Sequence, residues 1–345
     1  MATKLLLGID TFGDITRDGQ DRELTAAQVI RNVVDEGIRA DQVGLDAIGI
    51  GEHHRQDFSV SAPDVVLSAI AGQTTHIHLG SAVTVLSSDD PIRVFQRFST
   101  LNAVSNGRAE VTLGRGSFIE SFPLFGLDLG QYEALFEEKL NLFASLLANE
   151  PVTWNGAFRP PLTNQRIFPP TENGPLTTWV GVGGSPESVV RAARYGLPLM
   201  VAIIGGGPAR FQPLVELYRN ALEQFGHVNT LPVGVHSPGF VAETDQEARD
   251  ILWPHYEVMT NRIGRERGWP PASRQRFEHE ASDEGALVVG SPETVARKIA
   301  RTAQILGLSR FDLKISNGTL SHEHLMRSIE LYGTEVAPRV DELLS

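Results

Sequence analysis

The 345-residue chain has no cysteine. This absence excludes disulfide bonds, zinc sites built on thiolates, cysteine nucleophiles and iron–sulfur clusters. The chain also lacks an apolar run of the roughly 18–20 residues that a membrane-spanning helix needs. It has no excess of positive charge, because 42 acidic residues outnumber 30 basic ones and give a net charge of −12. We therefore expect neither nucleic acid nor an anionic membrane as a partner.

The start of the chain lacks the features of a secretory signal. Residues 1–4 are followed by only a short apolar stretch, Leu5–Leu7, and by no small-residue cleavage site. The hydrophobic content of 41% is ordinary, and the charges are dispersed, as in a folded globular protein. These features predict a folded cytoplasmic protein.

Short apolar segments alternate with longer amphipathic segments along most of the chain. The short segments predict eight strands, at Leu5–Ile9, Ala47–Ile50, Ile77–Leu86, Ala109–Leu113, Trp179–Val182, Leu199–Ile204, Val233–Val235 and Phe311–Ile315. The longer segments predict helices at Leu24–Gly37, from Ala62 onward, and at Pro91–Val104, Tyr132–Ala148, Glu187–Tyr195, Ala209–Phe225, Gln246–Arg267, Glu293–Leu306 and Leu325–Leu331. This alternation indicates a parallel sheet covered on both faces. It favours an α/β fold of the closed (β/α)₈ TIM-barrel type, with an open sheet of six or seven strands as the alternative.

The alternation breaks at residues 151–175. This segment contains six prolines and the turn sequence Trp154-Asn155-Gly156. Because proline has no backbone N–H and fixes the chain direction, the segment is predicted to be an extended insertion between the fourth and fifth strands, with room for a short hairpin. No polar linker divides the chain, and we expect residues 1–345 to form one domain.

In a TIM barrel the active site lies at the carboxyl ends of the strands. The positions that directly follow the predicted strands are rich in glycine, histidine and arginine, and they predict a site for an anionic ligand. These positions are Asp10–Phe12, Glu52–Arg55, Thr84–Asp90, Gly114–Ser117, Gly183–Ser185, Gly205–Gly207, His236–Ser237 and Ser316–Asn317.

A glycine-rich sequence, Gly183-Gly184-Ser185-Pro186, follows the fifth predicted strand. The serine can cap a helix, and the proline can occupy its first position. The free N–H groups and the positive dipole end of such a helix can bind a phosphate. However, the sequence Gly290-Ser291-Pro292-Glu293 is nearly the same, and a capped helix without a ligand explains the pattern equally well.

Arginine and histidine residues supply the remaining candidates. Arg115 stands between two glycines after the fourth strand, where its guanidinium can bind phosphate or form a surface salt bridge. Of His53 and His54, we expect one to transfer a proton or bind the ligand and the other to point outward. His76 and His78 resemble the alternating pair of some metal-dependent barrel hydrolases. They precede their strand, at the opposite face of the barrel, and we expect no metal there.

Six motifs together resemble the luciferase-like flavin-dependent monooxygenases. They are Gly51–His54, Gly80–Leu86, Asp90–Arg93, Ser105–Arg108, Leu113–Gly116 and, near the end of the chain, Gly333–Pro338. They occur in order on the predicted elements, and the resemblance covers nearly the whole chain. It implies a (β/α)₈ barrel that is usually dimeric and that binds reduced FMN.

The resemblance also implies roles for single residues. Arg115 matches the phosphate-binding arginine of the family, and Gly183, Gly184, Ser185 and Ser188 fall in its phosphate loop. This favours the first of the two glycine-serine-proline sequences as the binding site.

Two further matches concern the flavin ring and the reaction. Ala82 and Val83 match a non-proline cis peptide beneath the ring, and His53 matches the catalytic histidine of bacterial luciferase. The chain departs from luciferase at Arg55–Asp57 and at Asp90, and aldehyde oxidation with light emission is therefore not expected.

The implied function is the oxidation of a small organic substrate by reduced FMN and O₂. A separate flavin reductase would supply the reduced flavin, because the chain has no complete nicotinamide-binding fingerprint. A deazaflavin-dependent hydride-transfer enzyme ranks second, since Glu52–His54 is more similar to the FMN branch of the family. A flavin-binding protein without activity ranks third, and a metal hydrolase fourth. The sequence does not indicate the substrate.

Overall fold

The computed structural model describes residues 4–345. Residues 1–3 lie outside the described residues. The prediction that the chain start lacks a secretory signal rests partly on them. The described strands are β1 (Leu6–Thr11), β2 (Ala47–Ile50), β3 (His78–Ser81), β4 (Thr84–Val85), β5 (Glu110–Gly114), β6 (Val152–Trp154), β7 (Leu162–Gln165), β8 (Thr177–Val182), β9 (Leu199–Ala202), β10 (Val233–Val241), β11 (Val288–Gly290) and β12 (Arg310–Lys314). The described α-helices are α1 (Ala26–Gln42), α2 (Pro63–Ala71), α3 (Pro91–Val104), α4 (Ser121–Leu124), α5 (Tyr132–Leu146), α6 (Pro186–Arg194), α7 (Gln212–Gln224), α8 (Asp245–Arg267), α9 (Arg274–Ala281), α10 (Pro292–Leu306), α11 (His322–Leu331) and α12 (Ala337–Leu344).

Nine parallel strands form a nearly closed barrel, in the order β3-β2-β1-β12-β10-β9-β8-β5-β4. The short strands β3 and β4 belong to one passage of the chain, which is interrupted at Ala82 and Val83, and the barrel therefore has eight strand positions. A parallel bridge between Leu79 and Ala109 joins β3 to the residue before β5 and closes the circle. The predicted (β/α)₈ barrel is confirmed, and the open-sheet alternative is wrong.

The barrel strands are buried on both faces, as parallel strands between a filled interior and a layer of helices must be. All four residues of β2 are buried, for example. The interior also contains charge, since buried Arg310 pairs with Glu110 and, at 2.8 Å, with Asp312. Burial raises the pKa of Asp312 to about 8, although the charge of Arg310 opposes this shift.

Helix α1 shows how the sequence produces the outer layer. Thr25 caps its first turn by accepting a hydrogen bond from the backbone N–H of Gln28, and the spacing of Val29 and Val33 places both on the buried side. The prediction that this helix ends at Gly37 is wrong, because α1 continues to Gln42. A Cβ on Gly37 would lie 2.6 Å from Cδ1 of Ile70 in α2, so this glycine permits close helix packing.

Other elements differ from the sequence-based predictions. The seventh strand of the barrel, β10, is nine residues long, and its second half pairs with β11, which was not predicted. Neither was α9, an eight-residue helix. Both elements are too short to leave a clear periodic pattern in the sequence.

The proline-rich insertion contains an antiparallel hairpin of β6 and β7. The hairpin lies against α5, where Nε1 of Trp154 donates to Oδ1 of Asn141 at 2.8 Å. The backbone N–H groups of Ala157 and Phe158 donate to the carboxylate of Glu138, also in α5. That residues 1–345 form one domain stays a prediction. Within residues 4–345, every helix is too short or too polar to span a membrane.

Candidate functional site

A cavity of about 1040 Å³ opens at the carboxyl ends of the barrel strands, where the sequence predicts the site. Seven of the eight strand positions contribute residues to its wall, and Glu52–His54 contribute from the segment after the eighth, β2. Helix α8 and the segment after it form one side, with Tyr256, Met259, Ile263, Trp269 and Pro270. This side of the cavity was not predicted, because α8 shows only an ordinary helical pattern in the sequence. None of the residues that line this cavity in the described chain comes from residues 151–175.

The peptide bond between Ala82 and Val83 is cis, which is the geometry that the resemblance implies. Both residues line the cavity. Val83 packs against glycines of two neighbouring strands, where a Cβ on Gly114 or Gly181 would lie 2.5 Å or 2.9 Å from its methyl groups. Larger residues at these two positions would therefore displace Val83.

The start of α6 borders the same cavity. A Cβ on Gly183 or Gly184 would meet no atom within 4 Å, and Gly184 has a φ of +121°, which residues with a side chain rarely adopt. Ser185 caps the helix, because its Oγ accepts a hydrogen bond from the backbone N–H of Ser188 at 3.3 Å. Ser185 and Ser188 are not among the described residues that line the cavity. The backbone of the two glycines therefore offers the direct contact to a ligand.

Arg115 lines the cavity at the end of β5, with 24% of its side chain exposed. It forms an ion pair with Glu133 of α5 and lies over the ring of Tyr132, with its guanidinium carbon 5.2 Å from the ring centroid. The salt bridge that the sequence left as an alternative is thus present. Arg191 of α6, which the sequence analysis missed, donates to Glu133 at 3.1 Å and to Oγ of Ser188 at 3.4 Å. These contacts place two arginines beside the start of α6.

His53 lies in an aromatic part of the cavity wall. Its ring is 4.6 Å from that of Phe12, 4.3 Å from that of Phe58 and 5.6 Å from that of Phe118, measured between centroids. Its Nδ1 is buried and has no hydrogen-bond partner among the described residues. Burial, followed by the charge of Lys314, lowers the pKa of His53 to about 3. The imidazole is therefore neutral at neutral pH.

His54 also lines the cavity, and the expectation that one of the two histidines points outward is wrong. Its Nε2 lies 2.9 Å from Oε1 of Glu52, whose other oxygen accepts a hydrogen bond from the backbone N–H of Val85 at 2.9 Å. Glu52 therefore ties the second strand to the segment after Val83. This contact explains why a glutamate precedes the two histidines.

Arg55 holds three segments together at the cavity mouth. It pairs with Glu120 from the loop after β5, with Glu266 of α8 at 2.6 Å and with Asp57 at 3.1 Å. Its guanidinium also lies 4.3 Å from the ring centroid of Phe118. The hydrogen bond to Glu266 raises the pKa of Arg55, and the side chain stays charged. Only 9% of the Arg55 side chain is exposed, and its contacts therefore fix the three segments relative to one another.

The segment after β5 carries three phenylalanines, Phe118, Phe122 and Phe125, in different surroundings. Phe118 lines the cavity, Phe122 is fully buried elsewhere, and Phe125 is 51% exposed. The three residues therefore do not act as one surface.

Asp10, His236 and Lys314 come together across the cavity from Arg115. Nδ1 of His236 forms a hydrogen bond with Oδ2 of Asp10, and Nζ of Lys314 lies 4.7 Å from the ring centroid of Phe12. The sequence placed Asp10 and His236 at strand ends but assigned them no role. Lys314 was missed because the predicted strand, Phe311–Ile315, encloses it, whereas β12 ends at Lys314.

The alternating histidines do not form a metal site. His76 is exposed, and its Nδ1 lies 2.9 Å from Oγ1 of Thr75, while His78 opens β3 at the amino end of the barrel. Among residues 4–345, no three side chains of histidine, aspartate or glutamate are arranged to hold a metal ion.

The chain matches one protein family over most of its length. Residues 11–310 match the family described as "Luciferase-like monooxygenase". The chain belongs to this family. An alkanal monooxygenase alpha chain from Photorhabdus laumondii is 26% identical over 273 residues, which cover 72% of this chain and 71% of the relative. The predicted resemblance and the assignment as a flavin-dependent oxidoreductase are confirmed.

Several solved structures share the fold. A monooxygenase from Streptomyces bottropensis superimposes with a TM-score of 0.82 at 22% identity, covering 97% of this chain and 99% of that one. The oxygenating component of a type II Baeyer–Villiger monooxygenase from Pseudomonas putida, in complex with FMN, gives 0.78 at 20% identity and covers 99% of both chains.

A third solved structure with this fold is described as dependent on a different cofactor. The coenzyme F420-dependent tetrahydromethanopterin reductase from Methanopyrus kandleri gives a TM-score of 0.71 at 17% identity, covering 98% of this chain and 99% of that one. One of these neighbours is thus described in complex with FMN and another as dependent on F420.

Proposed function

We propose that this protein is an FMN-dependent monooxygenase that oxidises a small organic substrate with O₂. The observation that carries the proposal is the open backbone of Gly183 and Gly184 beside Arg115, at one end of the cavity that contains Ala82 and Val83. Free N–H groups at a helix start and a guanidinium are the donors that a phosphate monoester needs.

The residues present fit a flavin mononucleotide. Beside Gly183 and Gly184 there is space for a phosphate. Arg115 lines the same cavity, and it pairs with Glu133, which also pairs with Arg191 of α6. The cavity is large enough for a ring system with a substrate beside it. Nδ1 of His53 is a buried polar atom without a partner among residues 4–345, as expected of a group that meets a ligand.

The protein residues would bind the flavin, orient it and shield it from water. Bound reduced FMN would supply the electrons that activate O₂. Phe12, Phe58 and Phe118 surround His53 and exclude water from that part of the cavity, which strengthens any hydrogen bond that its imidazole makes. Because His53 is neutral, it can donate a hydrogen bond from one nitrogen and accept a hydrogen bond on the other.

Titration of the purified protein with FMN and with F420 tests the cofactor. We expect FMN to bind more tightly, and tighter binding of F420 would instead support a hydride-transfer enzyme. With reduced FMN and isotopically labelled O₂, one labelled oxygen atom should enter a product. Turnover without incorporation of label would contradict the proposed monooxygenase.

A His53→Ala variant tests the role of His53. We expect nearly unchanged FMN affinity, because the predicted phosphate contacts remain, and a lower ratio of product formed to FMN oxidised. Fluorescence titration and product analysis measure the two quantities. An unchanged product ratio would make His53 a structural residue.

The proposal includes partners. A separate reductase supplies reduced FMN, and the protein acts as a homodimer in the cytoplasm. Activity with NADH restored only by an added flavin reductase would support the first point. Sedimentation of the purified chain as a monomer would contradict the second.

A further inference from the structure

The cavity has a second polar region, on the side of the barrel away from Arg115. It is formed by Asp10 of β1, His236 of β10 and Lys314 of β12, which all line the cavity. Strand β12 lies four strand positions from β5 in both directions around the barrel. This region is therefore separate from the predicted phosphate contacts, and a phosphate bound at Arg115 leaves it free.

The contact between Asp10 and His236 fixes the chemistry of the imidazole. A carboxylate only accepts hydrogen bonds, and Nδ1 of His236 must therefore carry the ring proton and donate it to Oδ2 of Asp10. Nε2 is then a hydrogen-bond acceptor, and it has no partner among residues 4–345. Phe12 stacks on the ring at 5.7 Å between centroids with an angle of 8°, which holds it in place. Only 10% of the His236 side chain is exposed.

The pair lies beside the cis peptide. A Cβ on Gly49 would lie 1.9 Å from Oδ1 of Asp10 and 2.9 Å from Cβ of Ala82, so the carboxylate and Ala82 face the same small gap. Oδ1 of Asp10 is buried and has no partner among the described residues. The carboxylate of the pair therefore adjoins Ala82, and Asp10, His236 and Ala82 line the same cavity.

Lys314 adds a positive charge to this region. It is the register partner of Asp10 on the neighbouring strand, and its Nζ donates to the backbone oxygen of Ser316. Burial lowers the pKa of Lys314, although Asp14 and Asp10 oppose the shift. The nearby walls are apolar or aromatic, with Phe58 and Met259 among them. A ligand here needs an apolar body and one hydroxyl that can donate a hydrogen bond.

We propose that Asp10 and His236 bind the hydroxyl group of a phenolic substrate, with Nε2 of His236 as the acceptor and Lys314 favouring negative charge on the oxygen. That a phenol is oxidised here rests on the proposed function. Binding of the phenol at Asp10 and His236 does not depend on that function. Phenols have a pKa of about 10, against about 6.5 for imidazole, whereas alcohols are far weaker acids. If the proton transfers, the O–H bond breaks, an N–H bond forms at Nε2, and the imidazolium pairs with Asp10. No electrons are exchanged in this step.

Calorimetric titration with para-hexylphenol and with its methyl ether, para-hexylanisole, tests the proposal. The two probes have similar apolar bodies, but the ether has no proton to donate. We expect the phenol to bind about tenfold more tightly, which is the effect of one good hydrogen bond in a dry site. Both titrations are made with and without bound FMN.

Two variants remove the acceptor in different ways. In His236→Asn, the amide still donates to Asp10 but leaves no acceptor at the position of Nε2. In Asp10→Asn, an amide that donates to Nδ1 moves the ring proton to Nε2, which becomes a donor. We expect the preference for the phenol to fall to about onefold in the first variant and to shift toward the ether in the second. His255→Asn is the matched control, because His255 is held through Nδ1 by Thr319 at 2.8 Å and does not line the cavity.

The outcomes separate the two proposals. Equal binding of phenol and ether to the unaltered protein, or a preference that His236→Asn leaves unchanged, would overturn the phenol site even if FMN binds. If FMN fails to bind, the proposed function is contradicted. The titrations without FMN still show whether the phenol binds at Asp10 and His236. If a variant does not fold, the ratio of the two affinities in the unaltered protein decides alone. A shift of the bound phenol toward phenolate absorption, absent in Asp10→Asn, would support the proposed proton transfer.

Discussion

Helices α6 and α10 begin with nearly the same residues but have different surroundings. At α6, a Cβ on Gly184 would meet no atom within 4 Å. At α10, a Cβ on Gly290 would lie 2.7 Å from Oδ1 of Asp245. The carboxylate of Asp245 accepts hydrogen bonds from the backbone N–H of Ser291 at 2.7 Å and from Oγ1 of Thr294 at 3.0 Å. A carboxylate from another helix thus occupies the residues before α10, whereas the backbone at Gly183 and Gly184 before α6 stays open to the cavity.

The comparison separates the structural part of this motif from its functional part. In both helices the serine caps the first turn, since Ser185 and Ser291 each accept from the backbone N–H three residues later. A serine cap therefore does not indicate whether a helix start binds a ligand. What distinguishes α6 is the open space and the adjacent Arg115, which α10 lacks.

Replacing Arg115 should have the largest effect. We expect Arg115→Ala to weaken FMN binding about tenfold to 150-fold, because a charge-assisted hydrogen bond contributes about 1.5–3 kcal/mol. Quenching of FMN fluorescence measures the affinity. The matched control is Arg339→Ala, since Nε of Arg339 lies 3.9 Å from Glu293 in the first turn of α10, and it should bind FMN normally. Unchanged affinity in Arg115→Ala at moderate salt would remove the distinction between the helices.

The two glycines should respond in opposite ways. In Gly184→Ala, the φ of +121° forces a strained backbone, at about 1–3 kcal/mol, and the methyl group enters the space over the helix start. FMN affinity should fall about tenfold.

In Gly290→Ala, the methyl group would meet Asp245 and Thr294, and we expect a loss of about 1–3 kcal/mol in the free energy of unfolding. FMN affinity of the folded protein should stay the same. Urea denaturation and FMN titration of both variants check the pair, and equal losses of affinity would argue that both helix starts bind the ligand.

Removing the serine caps should have a smaller and more similar effect. Ser185→Ala and Ser291→Ala should each lower the free energy of unfolding by about 1 kcal/mol, through the loss of one cap. Thermal or urea denaturation measures this. A loss of FMN affinity in Ser185→Ala as large as that in Gly184→Ala would show that the side chain itself contacts the ligand.

Asp245→Asn should have the smallest effect. Partial burial raises the pKa of Asp245, but hydrogen bonds from Ser291 and Thr294 outweigh burial and hold the pKa below its usual range. The charged form therefore stabilises the fold above about pH 4, and this contribution is lost as the pH falls through the lowered pKa. We expect the variant to be less stable than the unaltered protein by about 0.5 kcal/mol at pH 7. The difference in stability between the variant and the unaltered protein should disappear in acid. The control variant Glu257→Gln, on the same helix, should show no loss of stability at pH 7.

The sequence predicted the barrel because its signal is repeated eight times. Each strand is a short apolar run, and errors at single ends, such as the continuation of α1 past Gly37, did not change the order of elements. The missed elements, β11 and α9, are short segments held by their neighbours rather than by a periodic pattern. The interruption at Ala82 and Val83 came only from the resemblance to the family, since no composition rule marks it.

The candidate site was predicted less completely. Residues in the motifs, such as Arg115 and Gly184, stand at strand ends, where the barrel brings them to one rim. Contacts between distant segments could not be predicted, because no local pattern records that Arg55 meets Glu266 or that Asp10 meets His236. The cavity wall from α8 was missed for the same reason.

The hairpin of β6 and β7 has a practical consequence. It is fixed to α5 through Trp154 and Glu138, and none of its described residues touches the cavity. A fluorescent label, an affinity tag or a surface anchor attached at its exposed turn should therefore report on the protein, or immobilise it, without disturbing turnover.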